Sequence, residues 1–79
     1  MQVPSIGRIV HVGVDPAINN GGDVAPAIIT RVFSEHPAGG WLVNIRVLLD
    51  GHETPWRTSV RLVEESSTDA HTCWYPPRV

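Results

Sequence analysis

Three observations predict an all-β fold. β-branched residues dominate the apolar set, with Val alone at eleven positions, and such side chains suit a pleated, half-buried surface. Seven Gly and seven Pro punctuate the chain at short intervals. No long stretch places its apolar residues at a clean helical period. At 79 residues and 42% hydrophobic content the chain fits one small domain with one core, and is too apolar for a disordered segment.

The first strand is expected from Arg8 to Val14, with Val10, Val12 and Val14 on one face and Ile9 and His11 on the other. A long loop follows from Asp15 to Val24. Its Asn19, Asn20, Gly21 and Gly22 accept positive φ, so the loop can fold tightly or stay mobile. The second strand is expected from Pro26 to Phe33. Its inward face is ambiguous, because Ile28 and Val32 lie on one side and Ile29 and Phe33 on the other. Pro26 belongs at the strand's start or on an edge. Ser34 to Gly40 form the next loop.

The third strand carries the clearest pattern. From Trp41 to Leu49 every odd position is apolar, which assigns that face to the core. Asp50-Gly51-His52-Glu53 then reads as a two-residue type II′ turn with Gly51 in its first central position. The fourth strand runs from Thr54 to Val63, with Trp56, Val60 and Leu62 inward. The turn places Val47 opposite Trp56, Ile45 opposite Thr58, Val43 opposite Val60 and Trp41 opposite Leu62, so both apolar sets share one face. Glu64 to His71 is a polar connector long enough for one 3₁₀ turn, with Ser67 or Thr68 as its cap. Thr72 to Tyr75 form a short last strand, ended by Pro76 and Pro77. This order of strands and loops is that of a small, partly closed, five-stranded SH3-like barrel. An OB-like barrel is the alternative. It usually has a helix between its third and fourth strands, where this chain has a tight turn.

Charge and cysteine content exclude several classes. The net charge is −2 and the pI near 6.0, which disfavours nucleic-acid binding through bulk charge. All six basic residues are Arg. One Cys allows no internal disulfide, so this is no disulfide-stapled miniprotein. The first residues lack the basic and apolar regions of a signal peptide, and no apolar run is long enough to span a membrane. A reducing cytoplasm fits best.

No catalytic signature is present, and no cofactor is expected. His71 and Cys73 lie two apart, but a structural zinc site needs a second close pair, and His11, His36 and His52 stand alone. Cys73 as a nucleophile needs a positioned base; a small buried thiol is the plainer reading. No glycine-rich phosphate loop occurs. Trp41 and Trp56 are expected in the core. Trp74 and Tyr75 lie on opposite faces of the last strand, which leaves one of them partly exposed. The outward face of the third and fourth strands carries Asn44, Arg46, Arg57, Ser59 and Arg61, flanked by Leu42 and Leu48. The turn sets Arg46 opposite Arg57, a repulsion of roughly 0.2–1 kcal/mol that needs an offset. Glu53, Glu35, a partner subunit or an anionic ligand would supply it.

The stretches APAIITRVF, VNIRVLLDG, TSVRL and CWYPPRV, in this order and spacing, resemble a family of small phage and prophage proteins from GC-rich bacteria. The resemblance covers nearly the whole chain, and its motifs are structural. It implies an accessory phage protein that counters host defence, by inhibiting an enzyme or by sequestering a signalling nucleotide. Together these readings give the expected function: a non-enzymatic module binding an anionic small molecule such as a nucleotide, through Asn44, Arg46, Arg57, Ser59, Arg61 and Tyr75. A module docking on a host protein is the alternative, and a nucleic-acid-binding barrel the second alternative. Exposed Leu42 and Leu48, and strand edges left open by partial closure, predict a homo-oligomer.

Overall fold

The structure is a computed structural model that describes residues 2–67, 69 and 71–77. Five strands run in sequence order around a closed barrel: β1 (Ile9–Gly13), β2 (Val24–Glu35), β3 (Trp41–Val47), β4 (Trp56–Val63) and β5 (Thr72–Trp74). The all-β, five-stranded barrel is as expected, but it is closed rather than partly open. Closure is made by the short β5 alone, which pairs with His11 and Val12 of β1 and with Arg61, Leu62 and Val63 of β4. β1 to β4 pair antiparallel, β5 pairs antiparallel with β1, and β4 with β5 are parallel. Among the described residues no helix is long and apolar enough to cross a membrane.

The core follows the strand period. Val10 and Val12 from β1, Ala25, Ala27 and Ile29 from β2, and Val43, Ile45 and Val47 from β3 point inward. Val60 and Leu62 from β4 and Cys73 from β5 complete it, and Leu49 closes one end. Trp41 and Tyr75 are half-buried and pack against this core, while Trp74 is buried.

The ambiguity of β2 is resolved by a bulge. Ile29 pairs with Ile45, but Arg31 pairs with Asn44, so Thr30 is the extra residue. The strand turns over there, and both Ile29 and Val32 face inward, which an unbroken strand cannot achieve. Phe33 is left outside, with the Arg31 guanidinium stacked 5.0 Å from its ring centroid. Pro26 lies inside the strand opposite His11, not at its start. Its carbonyl accepts from Leu48 N–H at 2.8 Å, and the reciprocal bond it cannot donate falls where β3 has ended at Val47.

The long loop folds tightly. Asp15 caps a 3₁₀ turn, Pro16–Ile18, by accepting from Ala17 N–H at 2.9 Å. Asn19 is buried, and its side chain works at both ends. The amide donates to the Gly22 and Val24 carbonyls at 3.0 and 3.2 Å, and its Oδ1 accepts from Asp50 N–H at 2.7 Å. Asn20 adds a bond from its amide to Asp50 Oδ2 at 3.0 Å. The loop is thereby tied to the segment between β3 and β4.

That segment departs from expectation. β3 ends at Val47 and β4 starts at Trp56, with Val47 N–H bonded to the Pro55 carbonyl at 2.8 Å. The connection is a loop of residues 48–55, not a two-residue turn, and Gly51 does not adopt positive φ. In the β4–β5 connector, Ser67 Oγ accepts from Asp69 N–H at 3.1 Å and Asp69 Oδ1 from His71 N–H at 2.8 Å. Thr68, the other expected cap, lies outside the described residues.

Candidate binding face

The register between β3 and β4 determines the chemistry of the outer surface. Trp41 pairs with Leu62 and Val43 with Val60, as the sequence predicts. Beyond Val43 the register shifts: Ile45 pairs with Arg57 and Arg46 with Trp56. Thr58 and Ser59 together oppose the single residue Asn44, which is a β-bulge in β4. A shift of one residue turns every following side chain to the other face. Trp56 therefore stands on the outer surface, 53% exposed, rather than in the core. Arg57 turns half-inward, and Arg46 and Arg57 are not opposite each other, so the expected repulsion does not arise.

The outer face now carries a row across four strands. Ile9 pairs with Ile28, Ile28 with Arg46, and Arg46 with Trp56. Ile9, Arg46 and Trp56 are exposed and Ile28 is half-buried. An exposed guanidinium thus stands directly across the strand from an exposed indole. Arg46 Nη1 donates to the Thr54 carbonyl at 3.3 Å. One long bond uses little of a guanidinium's donor capacity.

The other expected site residues are not brought together with this pair. Asn44 is buried, and its Oδ1 accepts from Ser59 N–H at 3.0 Å. Ser59 holds a left-handed φ of 55° at the bulge. Arg57 Nη1 donates to the Gly13 carbonyl at 3.1 Å, at the mouth of a cleft of about 430 Å³ that also holds Asp15, Asp23 and Ser67. Arg61 grips the β2–β3 turn: Nε donates to the Gly39 carbonyl and Nη2 to the Ala38 carbonyl, both at 2.8 Å. The cleft beside Arg61 includes Glu35 and Glu64. Tyr75 lies under the Arg8 guanidinium, 4.5 Å from the ring centroid. Arg57 and Arg61 therefore bind backbone carbonyls and sit in clefts whose lining has two carboxylates to one guanidinium group. Leu42 and Leu48, expected to be exposed, are half-buried.

Cys73 is fully buried, and burial pushes its thiol up to about 12. A thiol held protonated at neutral pH is a core group, not a nucleophile. His71 is exposed, so the two do not share an environment. Among the described residues no three metal-ligating side chains cluster.

Sequence reasoning missed Trp56 because Trp56, Val60 and Leu62 alternate as a core strand does. The available signal was weak: a polar Thr58 falls at an inward position, and a polar Asn44 stands between Val43 and Ile45. No protein-family model, curated protein or solved structure matches the chain.

Proposed function

We propose that the protein is a non-enzymatic binding module for an anionic small molecule with a planar ring, a nucleotide being the class that fits, held at Arg46 and Trp56. The observation that carries this reading is their direct cross-strand pairing on the exposed face. A guanidinium fork meets a phosphate through two hydrogen bonds. An exposed indole stacks on a base, an interaction worth about 1–3 kcal/mol per base on single-stranded nucleic acid. The resemblance to small phage proteins supplies the biological role: sequestering a signalling nucleotide in the host cytoplasm and so countering host defence. A long nucleic-acid strand is disfavoured by the net charge of −2.

A second reading is favoured by the other half of the row. Ile9 and Ile28 extend the face with apolar surface, which suits docking on a host protein through an aromatic and Arg anchor.

A thermal-shift panel of mononucleotides, dinucleotides and cyclic dinucleotides separates the two. The binding reading expects at least one nucleotide to raise the melting temperature of the wild type and not that of Trp56→Ala. No shift with any nucleotide contradicts it. Capture of a host protein that is lost with Ile9→Asp would then carry the second reading.

A further inference from the structure

The β4 sequence is compatible with two registers, and only one of them exposes Trp56. From Trp56 to Leu62 the even positions read Trp, Thr, Val, Leu. If the pairing of Val43 with Val60 simply continued, Ile45 would meet Thr58 and Val47 would meet Trp56. The indole would then enter the barrel. The observed strand inserts one residue at this point and turns Trp56 outward.

Two residues hold the insertion. Ser59 adopts φ 55°, a left-handed conformation that is uncommon for a residue other than Gly. Its N–H, displaced from the ladder, donates to Asn44 Oδ1 at 3.0 Å. Asn44 is buried in the middle of β3, and no apolar side chain there could accept that bond. The β2 bulge lies across the same residue, since Arg31 pairs with Asn44 after Thr30 is skipped. Both neighbours of β3 thus change register at one position, which leaves room for a side chain to turn back onto a backbone donor. A buried N–H without a partner is disfavoured, so the amide at position 44 and the bulge at position 59 depend on each other.

We infer that Asn44 and Ser59 are positioning residues: together they lock β4 in the shifted register and so present Trp56 beside Arg46. Neither touches a ligand in this account, although the sequence pattern marks both as ligand residues. They build the face on which the binding reading rests, but their role is testable with no ligand at all.

The experiment uses the full chain with Trp41→Phe, which leaves exposed Trp56 and buried Trp74 as the two indoles. Acrylamide quenching and the emission maximum report whether Trp56 meets water. Asn44→Val should move the emission to the blue and reduce quenching to that of a buried indole, whereas deletion of Ser59, which removes the extra residue and keeps Trp56 opposite Arg46, should leave Trp56 quenchable. Ser59→Gly accepts the positive φ freely, so it should keep Trp56 quenchable and melt no lower than its parent. A folded Asn44→Val variant with Trp56 as accessible as before, or a folded deletion variant with Trp56 protected, overturns the inference. If neither of those variants folds, Ser59→Gly still decides: a lower melting temperature or a protected Trp56 overturns it. Failure of nucleotides to bind would leave all of these outcomes in place.

Discussion

Gly40 shows how one missing methyl group closes a turn. It holds φ 80°, and a Cβ built there would overlap the carbonyl oxygen of Leu62 on the neighbouring strand. Both features forbid a side chain, and the obstacle is backbone that cannot swing away. Gly40→Ala should therefore cost about 3 kcal/mol or more, in the range of severe backbone strain and overpacking. Gly51 is the control, because it lacks positive φ and has open space where a Cβ would go. Gly51→Ala should change stability by no more than about 0.5–1 kcal/mol, and in the favourable direction. Urea unfolding of the two variants measures both; equal losses would contradict this account of the turn. Cys73 gives a second residue-scale outcome. Its folded value of about 12 lies above the ordinary 9.0, because burial disfavours the thiolate. Between those values the unfolded chain releases a proton that the folded chain keeps. The stability associated with the protonated thiol is thus fully present below pH 9 and is lost as pH rises toward 12. Unfolding measured across that window should show a fall in the wild type that is shallower in Cys73→Ala. Parallel curves would mean that the thiol ionises equally in both states.

At the scale of elements, regular strands were legible and irregular ones were not. The alternation from Trp41 to Leu49 located β3, its inward face and its outer pairing with β4, because two-fold periodicity along an unbroken strand has only one solution. The bulges at Thr30 and at Thr58–Ser59 were hidden. The β4 bulge depends on the φ of Ser59 and on its bond to Asn44 fifteen positions away, the β2 bulge is one skipped residue, and neither leaves a mark in hydrophobic pattern. The loop of residues 48–55 escapes the sequence pattern for a similar reason. Asp50 looked like turn chemistry, yet its backbone N–H is held by Asn19, a contact between distant segments. The candidate site is half legible: the strand pattern puts Arg46 on the outer face and its partner Trp56 in the core. Arg61 has a structural role that the strand pattern does not show. Its two 2.8 Å bonds to the Gly39 and Ala38 carbonyls make it a clamp on the β2–β3 turn. Arg61→Ala should lower stability by roughly 1–2 kcal/mol, as expected for partly exposed hydrogen bonds from a charged group. Lys at this position should restore only part of that, since an ammonium lacks the planar fork. A loss-free Arg61→Ala in chemical denaturation would remove the clamp.

For the whole molecule, closure of the barrel decides how it can meet a partner. With each strand paired to two neighbours over at least part of its length, recognition falls mainly to side chains on the outer surface rather than to added strands. Val3, Ile6, Ile9, Phe33 and Trp56 are all exposed on this small body. The apolar part of the outer row, Ile9, Ile28 and Trp56, keeps a homo-oligomer as the expected state, and light scattering that returns a monomer's mass at high concentration would contradict it. The central claim is that Arg46 and Trp56 form one ligand face from which Arg57 and Arg61 are excluded. Isothermal titration tests it directly, using the nucleotide that gives the largest thermal shift, with wild type, Arg46→Ala and Arg61→Ala. Loss of a charged hydrogen-bond donor at the ligand is worth ~1.5–3 kcal/mol, or about ten- to a hundredfold in affinity. Arg46→Ala should weaken binding by that factor, while Arg61→Ala, once folded, should bind as the wild type does. Equal affinity for wild type and Arg46→Ala, or an equal loss in both variants, would contradict the account.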